Sequence, residues 1–128
     1  MSYRSPLGHA RGLGSAKQGT HHFWIQRVTA VALIPLTLWF VFSLARLPSA
    51  DFDAVTWWVH APSVAVALVL FIGCALYHSL LGVQVVIEDY VGSEGAKIVT
   101  LLLSKFVHVL AGVTGIFAVL KIALSALP

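Results

Sequence analysis

The chain has 128 residues, of which 59% are hydrophobic and only 10% charged, with a formal net charge of +3. A soluble domain carries about a quarter charged residues, so these totals argue against a water-exposed globular fold and make lipid the solvent. The single cysteine, Cys74, leaves no internal disulfide and no cysteine-based metal site; it reads as a small apolar filler.

The first 27 residues carry Arg4, Arg11, Lys17 and Arg27 and no acid. They lack the 7–15-residue apolar region and small-residue cleavage site of a secretory signal. The Gly-rich stretch "GHARGLGSAKQG" makes a poor amphipathic helix, so residues 1–23 are expected to be a tail. A three-helix anchor then follows over 24–127. Val28 to Ala45 has no charged residue, Ala54 to Ile87 has none, and Ile98 to Leu127 carries only Lys105 and Lys121. A helix crosses the hydrocarbon with roughly 20 apolar residues. Spans are therefore predicted at about 25–46, 61–88 and 97–126.

Between the first two spans, "DAVTWWVHA" is expected at the membrane interface, with Trp57 and Trp58 as a headgroup-level belt. Pro62 suits the first turn of the second span. "VGSEGAK" at 91–97 reads as a turn broken by Gly92 and Gly95, with Ser93 as N-cap of the third span. Basic residues concentrate at the N-terminus, which is expected to be cytoplasmic by the positive-inside rule. Three crossings then put the 88–97 loop on the same side.

Six histidines are present, and they differ by depth. His9 belongs to the tail and reads as solvated. His60 follows the tryptophan pair and reads as interfacial. His78 lies deep in the second apolar run, where an ionisable group faces protein or a cavity and marks a functional path. A neutral imidazole hydrogen-bonded to a neighbouring helix is one reading, and a ligand for haem iron is the other. Gly82 falls one turn later on the same face. It serves either a close helix contact or space for a flat macrocycle. Asp89 returns to that face after about three turns, roughly 16 Å along the axis. His108 shares a small-residue face with Ser104, Ala111, Gly112 and Gly115, a packing pattern; pairing with His78 inside one chain is its alternative. Arg27, at the start of the first span, either snorkels as an anchor or pairs with a carboxylate, with His21 and His22 in the same layer.

"YHSLLGVQVVIEDYV" resembles the H-x3-G-x6-D-Y motif of the succinate dehydrogenase hydrophobic membrane-anchor family, the smaller cytochrome b subunit of complex II. "GTHHFWIQRVTAV" resembles that family's short motif before its first helix, and three helices match it over nearly the whole chain. The resemblance implies an all-α membrane protein whose three transmembrane helices pack with a second three-helix anchor subunit. It implies a haem b held between the two anchors, with His78 as one axial ligand and the other from the sister subunit. Arg27 matches the arginine near the haem propionates and His21 the histidine before it, and Gly82, at the motif's glycine position, is expected in the haem pocket. Tyr90 matches the tyrosine that hydrogen-bonds ubiquinone, and Asp89 the acid beside it. The expected partners are the second cytochrome b anchor, the iron–sulfur subunit and the flavoprotein subunit. The expected place is the bacterial inner membrane, ahead of the mitochondrial inner membrane.

The function so implied is that of an electron-transfer subunit, non-catalytic alone, serving succinate:ubiquinone oxidoreductase. The alternatives are an anchor of a quinol–fumarate reductase, a haem-free scaffold with His78 in a structural hydrogen bond, and a proton or small-solute conductor using His78 and His108. No polar stripe continues through the first span, which weighs against conduction.

Overall fold

The computed structural model describes residues 19–125. The expected tail therefore lies mostly outside the described residues, as do Arg4, His9, Arg11 and Lys17. Four helices follow one another: α1 (Gly19–Ala45), α2 (Phe52–His60), α3 (Pro62–Tyr90) and α4 (Glu94–Leu124). No strand occurs among the described residues. Three of the helices, α1, α3 and α4, are long and apolar enough to cross a membrane. In hydrocarbon the backbone must bond within the segment, which only a helix achieves for a single crossing strand of chain.

The helix ends follow local chemistry. Asp51 caps α2, accepting from Ala54 N–H at 2.8 Å. The Ser49 hydroxyl, which donates to Asp51 Oδ2 at 2.6 Å, and that backbone N–H hold the Asp51 carboxyl below its ordinary value. Pro62 opens α3 at its first turn, where a missing N–H leaves no bond unmade. Ser93 precedes α4 as expected, but its side chain makes no capping bond; its carbonyl accepts from Lys97 N–H at 2.8 Å. Gly95 lies inside the first turn of α4 rather than breaking the chain, because the helix already begins at Glu94. Pro35 sits inside α1, which continues through it. One backbone bond is lost there.

Helix α3 is central. It packs on α1 along one flank and on α4 along another, while α2 packs on α3 and α4; α1 and α4 do not approach one another. The buried core is small: Val59, Ala65, Leu68 and Val119 pack together, with Trp39, Phe40, Trp58 and Ile72 against them. Trp58 stacks on Trp39 with centroids 6.2 Å apart and donates its indole N–H to Ser43 Oγ at 2.8 Å. Phe40 stacks on Phe71 at 4.9 Å. The tryptophan pair thus divides. Trp57 faces outward as an interfacial ring should, whereas Trp58 ties α2 to α1.

Most large apolar side chains point away from this core, along α1 from Phe23 to Leu44 and along α4 from Ile98 to Leu124. Surface of that extent needs lipid or a second apolar protein around it. The α3–α4 contact is close where glycines allow it. A Cβ on Gly112 would lie 3.4 Å from Leu76 Cδ1, and one on Gly115 3.5 Å from Ile72 Cγ2. This is the small-residue packing face expected from sequence. Gly112→Ala is expected to be nearly neutral, because that distance is ordinary contact. Gly112→Leu should destabilise by about 1–3 kcal/mol through overpacking, read as a lowered thermal unfolding midpoint in detergent.

Candidate functional site

His78 and Cys74 lie one turn apart on α3 and face α1. His78 Nδ1 is 2.9 Å from Thr29 Oγ1, and the Cys74 thiol donates to Thr29 O at 3.5 Å. Cys74 therefore does more than fill space. The Thr29 hydroxyl also reaches back along its own helix, 2.8 Å from Ile25 O and 3.0 Å from Gln26 O. His78 is half-buried, and no other protein group bonds its ring among the described residues.

The next residue turns the opposite way. Ser79 is rotated about 100° around α3 from His78, and its hydroxyl meets α4, donating to His108 Nε2 at 3.2 Å. His108 Nδ1–H donates to Ser104 O at 2.8 Å. That pattern uses both nitrogens of His108 within the protein. It favours the packing reading of His108 and points the two intramembrane imidazoles at different helices rather than at each other.

Gly82, one turn beyond His78, contrasts with Gly112. A Cβ at Gly82 would meet nothing within 4 Å. Among the described residues it makes no close helix contact; it leaves open space beside the imidazole. A half-buried imidazole and an open position one turn away suit a flat group bound edge-on to the helix. No group of three or more metal-ligating side chains forms among the described residues.

At the N-terminal end of α1 the two adjacent histidines separate. His21 is exposed, whereas His22 is half-buried and its Nε2 is buried without a partner among the described residues. His22 precedes Thr29 by seven residues, two helical turns, so the two share a face about 10 Å apart along α1. Because α1 and α3 run antiparallel, His22 falls at the level between His78 and the C-terminus of α3. His60 Nδ1, at the far end of the bundle, is likewise buried without a partner. Arg27 is exposed, with its guanidinium 5.0 Å from the centroid of Phe23. A cation over a ring face is stabilised modestly, and among the described residues no acceptor takes its five donors.

Helix α3 ends at Tyr90, which is exposed, as is Asp89. Neither side chain hydrogen-bonds within the described residues, whereas neighbouring Glu88 accepts from Gln84 Nε2 at 2.7 Å. Twelve residues of helix separate His78 from Tyr90, about 18 Å. The chain therefore presents a half-buried imidazole at mid-span and a free phenol with a free carboxylate at the helix end. Sequence reading missed Thr29, Ser79 and the inward turn of His22. The available signal was the rarity of hydroxyls and imidazoles inside apolar helices.

Residues 1–119 match the family model described as succinate dehydrogenase/fumarate reductase transmembrane subunit. The succinate dehydrogenase hydrophobic membrane anchor subunit of Rickettsia bellii (strain RML369-C) is 32% identical over 117 residues, covering 91% of this chain and 94% of that protein. That of Paracoccus denitrificans is 36% identical over 90 residues, covering 70% of each. The succinate dehydrogenase membrane anchor subunit of Reclinomonas americana is 29% identical over 96 residues, 73% of this chain and 80% of that protein. No solved structure matches the chain.

Proposed function

We propose, from the premise that this chain belongs to the succinate dehydrogenase/fumarate reductase transmembrane subunits, that it supplies one axial ligand to a haem b and one edge of a ubiquinone site. The chain is a multi-pass membrane anchor of succinate dehydrogenase and is not catalytic by itself. The observation that carries the finer reading is His78: an imidazole at mid-span with one nitrogen bonded to Thr29 and open space at Gly82 one turn away.

In this reading His78 Nε2 would hold the haem iron, with a second ligand from a sister anchor subunit packed on the exposed apolar surface. Arg27 faces the propionates with a planar fork of donors. His22 assists from the same layer in preference to His21, since its buried Nε2 lacks a partner. When bound, the haem supplies a one-electron store near the quinone. Tyr90 stays a neutral phenol and donates a hydrogen bond to a quinone carbonyl as negative charge develops there. Asp89, at the wet end of the helix, orders the site and passes protons. Iron–sulfur and flavoprotein subunits dock at this end, where succinate-derived electrons arrive. The basic N-terminal segment supports a cytoplasmic location for that end, in a bacterium.

The test is purification of the complex through this chain, with a reduced-minus-oxidised spectrum. The expected result is a second three-helix subunit, two soluble subunits and a b-type α band. A complete complex that reduces ubiquinone without that band makes the chain a haem-free scaffold.

A further inference from the structure

We propose that Thr29 is a positioning residue that fixes the tautomer of His78. The inference rests on the reading of His78 as an iron ligand and names what makes it one. A threonine hydroxyl has one proton and two lone pairs. Thr29 Oγ1 lies 2.8 Å from Ile25 O, the carbonyl one turn back, and 3.0 Å from Gln26 O. These carbonyls only accept, so the hydroxyl proton goes into α1. The oxygen then faces His78 Nδ1 at 2.9 Å as an acceptor. His78 Nδ1 accordingly carries the ring proton, and the lone pair lies on Nε2. The opposite tautomer would set two lone pairs against each other, or would take the Thr29 proton away from both carbonyls.

The arrangement crosses between helices, since Thr29 and His78 are 49 positions apart. It also holds the ring plane, because the bond fixes Nδ1 on the α1 side. A hydrogen bond to the second nitrogen of a ligating histidine sets its tautomer and raises its basicity, and losing such a partner typically weakens metal binding about 10–100-fold. His108 offers the internal contrast. Its Nδ1 also donates to a carbonyl, but its Nε2 is occupied by Ser79.

The experiment uses the intact purified complex carrying Thr29→Val, Thr29→Ser or His78→Leu. Two readouts are taken: haem loss to excess apomyoglobin and the haem midpoint potential. Thr29→Val keeps the volume and removes the acceptor. It should assemble, lose haem at least about tenfold faster and show a raised potential, since a less basic ligand stabilises the oxidised iron less. Thr29→Ser should restore both values. Wild-type retention and potential in Thr29→Val, with His78→Leu lacking haem, overturn the proposal alone. Equal damage from serine and valine also overturns it, because packing of the methyl group would then be the cause. Retention of haem in His78→Leu overturns the ligand reading beneath it. Should Thr29→Val fail to assemble, Thr29→Ser is compared with Thr29→Ala on the same readouts, and equal values for the two overturn the proposal.

Discussion

Replacing His78 by leucine is expected to abolish the b-type α band of the purified complex while leaving the complex assembled. Leucine occupies similar volume and suits a helix in lipid. The substitution removes one interhelical hydrogen bond, to Thr29, and such bonds in membrane proteins average about 0.6 kcal/mol. Thr29 keeps its own bond to Ile25 O, so no buried donor is orphaned. The loss to α1–α3 packing is therefore small beside the loss of an iron ligand. Assembly is read from co-purifying subunits, and the soluble half from succinate oxidation by an artificial dye. His108→Leu is the matched control. Both its nitrogens are bonded within the protein, so the band should survive that change even if stability falls. An undiminished band in His78→Leu would sink the ligand assignment.

The second large effect is expected at the other end of α3. Tyr90→Phe should lower succinate–ubiquinone activity by about tenfold to a hundredfold, with dye-linked succinate oxidation unchanged. The upper figure follows from the roughly 10²-fold effect of removing one preorganised donor from a developing oxyanion. The lower allows for the exposure of Tyr90, 85% in this chain alone, since water can replace a donor at a wet site. Phenylalanine retains the ring and the helix end, and the Tyr90 hydroxyl makes no bond within the described residues, so folding should not change. Equal loss in both assays would point to failed assembly. No loss in either would remove Tyr90 as the quinone donor.

Each prediction depends on a residue whose position was legible for a different reason. Helix periodicity places Gly82 on the face of His78 whatever surrounds the helix. It does not say whether that face meets another helix or open space, and the open space at Gly82 separates it from Gly112, which packs against Leu76. Similarly, adjacent His21 and His22 are equivalent in sequence, and a rotation of about 100° decides which of them faces inward. The roles proposed for Tyr90 and Asp89 rest on the H-x3-G-x6-D-Y spacing and the family it resembles, since exposed polar residues at a helix end have no distinctive local pattern.

The sequence by itself determined the three long helices and the membrane class, because backbone groups in hydrocarbon must pair locally and apolar length alone decides where they do so. It also determined the order of residues along α3, from imidazole through glycine to acid and phenol. Only the tertiary structure decided which neighbour each polar face meets: His78 on Thr29 of α1, Ser79 on His108 of α4, Trp58 on Ser43. The physical reason is that helical geometry fixes angles within one helix, whereas the rotation of each helix about its own axis is set by packing against the others.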